Sequence, residues 1–362
     1  MANEPPPSNR LPDEIPAANS PVEWGGTRWT MLVWQLIPQD DAGARARLFA
    51  HEMWHRVQNS LGLRAGPGAN SHLETLEGRY WMQLEWRALA DALTNPSSEG
   101  RELALAGALA FRQARHKVAL DAAFEERALE MNEGLAAYTG IAATAPSRAQ
   151  AVREAVAALE AGAKRDSFVR WFAYASGPAY GLMLDYMNPD WKKDITPDSD
   201  FGELLRTDPD PGPETAAERY GSITLMAAER RRDEEFQKRV KAYRAKLIDG
   251  PVLVLPAGPS PLTSFSVNGM VALPGGAGTV YTTFRTAAEW GILEVTSGAV
   301  LSGNRQYTVA APSKREGNPI QGEGWFLTLH PGWSLVKGPR PGDFTVKRAT
   351  APLNPVGIHP GG

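Results

Sequence analysis

Residues 51–55 read His-Glu-Met-Trp-His. On a helix, positions i and i+4 share a face, so His51 and His55 can aim imidazole nitrogens at one cation. Glu52 projects beside that face, where it reaches a water near the cation rather than the cation itself. Zinc lowers the pKa of such a water to about 7, and a neighbouring carboxylate can then take its proton. The competing reading is a capped surface helix with two solvated histidines. Leu48, Phe49, Trp54 and Val57 around the five residues weigh against it.

A hydrolytic zinc site needs a third protein ligand and keeps its fourth position for water or substrate. The chain has no cysteine, which excludes disulfides, thiolate nucleophiles, iron–sulfur clusters and thiolate zinc sites. The ligand must then be His, Asp or Glu. His72 is placed in the first turn of a capped helix, and His116 stands in the basic run RQARHK, read as facing solvent. His330 and His359 lie among Pro and Gly without ligand spacing. Glu133, in MNEGLAAYTG, is the better candidate, because Gly134 and the small residues after it let its helix approach another backbone closely. Glu85, in QLEWRAL, and Glu130 are reserve ligands or orienting groups, with a salt-bridged helix surface as their ordinary reading.

HEMWH followed downstream by NEGLAAY resembles the gluzincin zinc metallopeptidases, which carry H-E-x-x-H on one helix and a glutamate ligand on a later one. The aminopeptidase-like branch, with N-E-G-x-A around that glutamate, is the nearest. The resemblance implies zinc held by His51, His55 and Glu133, with Glu52 as general base. It extends to YASGPAYGLMLDY (174–186), similar to the Tyr-x-x-Gly that opens a later helix in that branch. The tyrosine there stabilises an oxyanion, which maps Tyr174 to the role, with Tyr180 as its competitor. A phenol suits the task because it donates a hydrogen bond to developing negative charge. A core aromatic with a satisfied hydroxyl is the ordinary reading of either.

The resemblance spans residues 27–200 and departs from the pattern in three places. The stretch between His55 and Glu133 is long enough for one or two inserted helices. The substrate-amine motif G-x-M-E-N is absent, which points away from exopeptidase activity. Ala137 stands where a carboxylate often orients a zinc histidine, so that task falls to another residue.

The elements that must position these residues follow from composition and periodicity. TRWTMLVWQLIP (27–38), β-branched and aromatic and stopped by Pro38, predicts a strand. By resemblance, its edge would receive an extended peptide through backbone hydrogen bonds. Asp40 or Asp41 caps a helix running to Gly62 or Gly66, with Phe49, Met53, Trp54, Val57 and Leu61 as its apolar positions. Ser71 and Glu74 form a capping box opening a helix that ends near Asn95-Pro96. Helices are expected over 98–118, 120–139 and 148–163, and a buried helix over 171–187 with a break at Gly177-Pro178. After a loop at 207–214, a long charged helix runs from Thr215 to Asp249, its ERRRDEE run (229–235) read as a solvated face.

At Gly250-Pro251 the composition changes to short β-prone runs punctuated by Gly and Pro. The expected fold is multidomain α+β. It comprises a Pro-rich arm (1–26), a mainly helical gluzincin-like domain with a preceding strand (27–250), an all-β sandwich or barrel (251–349) and a Pro/Gly tail (350–362). Trp290, Trp325 and Trp333 admit a carbohydrate-binding reading of the β module, but buried core is favoured.

The 362 residues carry 38 basic and 41 acidic side chains, a balance that argues against nucleic acid or an anionic membrane held by bulk charge. The longest apolar run, Leu103 to Phe111, is about half of the roughly 18 residues a membrane span needs. The first residues, rich in proline and without an apolar stretch, do not read as a signal peptide, yet resemble the lead left after one is removed; a periplasmic or secreted setting is expected. The expected function is hydrolysis of a peptide or protein substrate by a zinc endopeptidase or oligopeptidase. A non-catalytic scaffold on a degenerate gluzincin fold, binding peptide or cell wall, is the alternative. A third reading is hydrolysis of a non-peptide bond, since a metal site alone does not select peptides.

Overall fold

The computed structural model describes residues 19–63, 69–205, 211–258, 262–265, 270–273, 276–303 and 305–348. Most of the Pro-rich arm, the first part of the loop at 207–214, and the tail with His359 lie outside the described residues. The chain divides into two compact units, Met1–Glu234 and Glu235–Gly362.

The first unit opens with an antiparallel hairpin, β1 (Ser20–Trp24) and β2 (Thr27–Met31). Gly25 and Gly26 form its two-residue turn at φ 58° and 72°, the left-handed pair that matches the twist of a tight hairpin. The strand expected over 27–38 therefore stops at Met31, and a 3-10 turn, Trp34–Leu36, leads toward Pro38. Helix α1 (Ala42–Gln58) is capped by Asp41, whose carboxylate accepts from the Ala44 amide at 2.8 Å. Of its expected apolar positions only Trp54 packs on the core. Phe49, Met53, Val57 and Leu61 are exposed, because the buried face carries Glu52 and Gln58.

The predicted capping box does not form. Ser71–Glu74 is a 3-10 turn, and Thr75 caps helix α2 (Leu76–Thr94) by accepting from the Gly78 amide at 3.0 Å. The turn folds back so tightly that a Cβ on Gly78 would lie 2.1 Å from the His72 carbonyl. Glu74 instead accepts from the Ser167 hydroxyl.

Helices α3 (Ser98–His116), α4 (Ala122–Leu129), α5 (Leu135–Thr144) and α6 (Arg148–Ala163) follow, and a π-helical turn, Glu130–Gly134, joins α4 to α5. Helix α7 (Trp171–Met187) runs unbroken through Pro178, against the expected break. Proline there removes only the amide that would have reached the Tyr174 carbonyl. The surrounding residues, from Ala175 to Leu184, are all buried, and that packing keeps the helix continuous.

After the short α8 (Phe201–Leu204), the single helix expected from Thr215 is two, α9 (Pro213–Arg219) and α10 (Ser222–Arg244). They are parted at Gly221, which takes a φ of 68°. The ERRRDEE run is not simply a solvated face. Glu229 is 3% exposed and accepts from Arg79 Nε at 2.9 Å and Gln83 Nε2 at 2.6 Å. The apolar core of this unit gathers α2, α3, α5 and α7 around Leu84, Trp86, Phe111, Leu135 and Phe172.

The second unit begins inside α10, ahead of the composition change at Gly250. Phe236 and Val240 there, with Leu247 of the π-helical turn Ala245–Asp249, cluster with Val271, Val280 and Val300 of the strands. One sheet has the spatial order Trp333–Lys337, Phe344–Arg348, Val252–Pro256, Gln306–Ala310, Ala299–Leu301, Gly278–Tyr281, Val271–Leu273. The other runs Pro312–Lys314, Ile320–Gly322, Trp325–Leu329, Gly291–Val295, Phe284–Ala288, Leu262–Phe265. Inward residues of both, among them Leu255, Tyr307, Leu293 and Leu327, form one apolar cluster. Trp290 and Trp325 are buried in it, their indole N–H groups donating to the carbonyls of Pro256 at 2.7 Å and Ala310 at 2.9 Å. The fold is thus mixed α+β, helical first and β-rich after. Among the described residues no helix is long and apolar enough to cross a membrane.

Candidate metal centre

Three helical segments are brought together by glycine. Gly177 of α7 crosses Gly134 so closely that a Cβ on Gly177 would lie 2.4 Å from the Gly134 Cα. Gly140 of α5 meets α1, where a Cβ would stand 3.0 Å from the Arg47 carbonyl and 3.7 Å from the His51 Cβ. These contacts leave no room for side chains, so the backbones themselves set the positions of His51, Glu133 and Tyr174. The π-helical turn that carries Glu133 is a local departure of the kind often found at functional sites.

His51 Nε2 and His55 Nε2 lie 3.2 Å apart. Glu133 Oε2 stands 3.4 Å from the first and 3.3 Å from the second. This oxygen is buried and makes no hydrogen bond. Its partner oxygen accepts from Arg170 Nη2 at 3.1 Å. Four tetrahedral ligands at the zinc–nitrogen and zinc–oxygen distances of about 2.0–2.2 Å would be roughly 3.3–3.5 Å apart. The nearly equilateral triangle is close to one face of that tetrahedron, and two imidazoles with one carboxylate form a donor set zinc accepts. Residues and group therefore fit.

Gln58, buried at the end of α1, orients the second imidazole. Its Nε2 donates to the carbonyls of Leu63 at 2.7 Å and Met131 at 3.2 Å, which turns its Oε1 toward His55 Nδ1 at 3.2 Å. A proton on Nδ1 satisfies that contact, and the Nε2 lone pair is left for a cation. Burial lowers the affinity of His55 for a proton, but the Glu133 carboxylate and Gln58 outweigh it and the imidazole pKa is raised.

Burial pushes the Glu52 carboxyl above the usual range, against the pull of His51 and His55. Burial pushes Glu133 the same way, yet His51, His55 and the Tyr174 hydroxyl hold it far below that range. The Tyr174 ring stacks on His51 with centroids 5.5 Å apart and 13° between planes. Its phenol is raised by burial first and by the Glu133 charge second, so it keeps its proton for donation. His51, Glu52, His55, Glu133 and Tyr174 all line an open cavity of about 750 Å³, with Asn132 and Trp171 among the other walls.

The remaining candidates are elsewhere. Tyr180 is fully buried and donates to Glu85 Oε1 at 2.7 Å, away from the cavity lining. Glu85 is paired with Arg115, and Glu130 is gripped through both oxygens by Arg112 at 2.8 and 2.5 Å. His72 lies in the 3-10 turn ahead of α2 and not in a helix's first turn, and His116 does not face solvent freely: their Nε2 atoms lie 2.6 and 3.1 Å from the buried Glu126. Gln58 and Arg170 escaped the sequence reading. The position of Gln58, three residues after His55 and hence on its face, was the signal available; Arg170 carried none.

The chain matches no known family profile, no curated protein and no solved structure.

Proposed function

We propose that the chain is a zinc-dependent hydrolase of the gluzincin type, cleaving peptide bonds within peptides or proteins. The observation that carries this reading is the triangle of His51 Nε2, His55 Nε2 and the buried Glu133 Oε2, open to a cavity. Zinc, when bound by these three residues, supplies a Lewis acid that polarises a scissile carbonyl and acidifies a water. Glu52, with its raised carboxyl, takes the proton of that water and can return it to the leaving amine. Tyr174 donates its phenolic hydrogen to the oxyanion as charge develops. Gln58 holds the His55 tautomer, and Arg170 fixes Glu133 through the oxygen that does not face the imidazoles.

Elemental analysis of protein purified without chelators tests the site. Near one zinc per wild-type chain is expected, with clear loss in Glu133→Ala; wild type that stays metal-free after incubation with zinc would overturn the reading. Glu52→Gln should keep its zinc and lose about 10²–10⁴-fold in peptide hydrolysis, the range of a missing general base. An active Glu52→Gln would remove the mechanism.

A further inference from the structure

Arg47, His51, His55 and Asn59 recur every four residues on α1 and its end, and all four line the cavity. They make one stripe, with the histidine pair in the middle. The midpoint of the pair is six residues from Arg47 and six from Asn59, which at 1.5 Å per residue is about 9 Å each way.

Arg28 of β2 stands at the Asn59 end and also lines the cavity. The Asn59 amide oxygen, turned toward it, accepts from Nη2 at 3.1 Å and Nη1 at 3.3 Å. That neutral acceptor positions the guanidinium without cancelling its charge. The acidic neighbour, Glu23 across the hairpin, is 3.6 Å away and 69% exposed, and such pairs contribute little. The other arginines of the cavity are better matched: Arg47 Nη1 faces the half-buried Glu154 at 3.1 Å, and Arg170 is bound to Glu133. The acidic walls, Glu52 and Glu133, are both committed to the metal centre. Among the described arginines of the cavity, Arg28 is therefore the one without a close, shielded carboxylate.

Resting on the hydrolase reading for the bond that is cut, we propose that the substrate carries a carboxylate two to three residues from that bond and docks it on Arg28. An extended chain advances about 3.3 Å per residue, so this number of residues spans the ~9 Å along α1 from the histidine pair to Asn59, beside which Arg28 stands. A guanidinium is suited to the task because its planar fork matches a carboxylate through two hydrogen bonds. The carboxylate is either an acidic side chain or the C-terminus of the substrate.

Zinc-loaded Glu52→Gln protein is titrated calorimetrically with C-terminally amidated octapeptides in which one Asp is walked through a neutral Asn/Ala sequence. The neutral parent is titrated both amidated and with a free carboxylate. At least tenfold tighter binding is expected for one Asp position or for the free C-terminus, which tells the two sources apart. The preference should vanish in Arg28→Gln and survive in part in Arg28→Lys, with zinc content unchanged in both. Equal binding of all peptides, no binding of any, or a preference that survives Arg28→Gln would overturn the proposal. Binding is read without turnover, so hydrolysis of the neutral peptides by wild type judges the hydrolase reading separately.

Discussion

Glu126 and Glu133 are buried carboxylates seven residues apart on one helical run, and each faces two histidines. Around Glu126 the acceptor sites are taken. Arg115 donates through Nε and Nη2 at 2.7 Å each, and the Nε2 atoms of His72 and His116 complete the set at 2.6 and 3.1 Å. Around Glu133, one oxygen is held by Arg170 and the other confronts two imidazole nitrogens with no hydrogen bond. In the first cluster the cation is built in, as a guanidinium in the core. In the second, two imidazoles and a carboxylate oxygen line a cavity with no built-in cation between them. Saturation, more than residue type, separates a structural polar core from a ligand site.

The largest effect that would break this comparison is on stability. Glu126→Leu strands Arg115 in the core with Glu85 as its remaining charged partner, and should destabilise the protein by about 3–5 kcal/mol, as broken buried pairs do. Glu133→Leu should cost the metal-free protein less, since it removes one hydrogen bond, to the exposed Arg170, and an oxygen that has none. Denaturant titration of both variants without metal checks this, and equal losses would erase the distinction. The pH dependence has a definite sign. Burial raises the Glu126 pKa, but Arg115 and the histidines pull it well below its ordinary 4.5. A carboxylate lowered in this way contributes stability fully above pH 4.5 and loses it as pH falls further toward the folded-state value. The gap between wild type and Glu126→Leu should accordingly narrow only on acidification below that point.

The two tyrosines of α7 sharpen the contrast at the next level. Tyr174 belongs to the open cluster through its stack on His51, and Tyr180 to the saturated one through Glu85. Tyr174→Phe should lower kcat by about 10²–10³-fold, the loss seen when one oxyanion donor is removed, with little change in Tm. Tyr180→Phe should leave kcat alone and lower stability by about 1–3 kcal/mol, because a buried carboxylate oxygen loses its donor. The reverse pattern would exchange their roles.

Which of these residues the sequence discloses depends on how local the determining physics is. His51 and His55 are legible because the i, i+4 relation is a property of any helix. Glu133 is legible through its motif and through Gly134, whose close crossing with Gly177 is observed. What reads poorly is whatever a distant partner decides. Glu229 sits in a run of charges that spells solvent, yet Arg79 and Gln83, far away in the chain, draw it inside. Ser71 and Glu74 spell a capping box, and Thr75 with the small Gly78 wins the cap. Pro178 spells a break, and the packing of α7 overrides it. The β-rich unit announces itself by composition at Gly250, but its start inside α10 depends on Phe236 and Val240 finding strand residues far along the chain. Nothing local in the sequence marks His72 and His116, since their common bond to Glu126 is purely tertiary.

Gln58 lies where the two kinds of cluster meet, and it carries the smallest expected effect. Its amide donates to two carbonyls, as a saturated core residue does, while its oxygen faces His55 Nδ1, where a ring proton would satisfy it. Gln58→Leu keeps the volume and removes both functions. Zinc affinity should fall about 10–100-fold, the usual consequence of losing a partner that orients a metal-binding histidine. The cause can be read apart from the affinity. In the metal-free variant the His55 ring should shift toward the tautomer with its proton on Nε2, visible in long-range ¹H–¹⁵N spectra. A drop in affinity without that shift would mean that Gln58 acts by holding the Glu133 turn through the Met131 carbonyl. An unchanged affinity would mean that packing alone aims His55, and Gln58 would then belong with the satisfied contacts around Glu126.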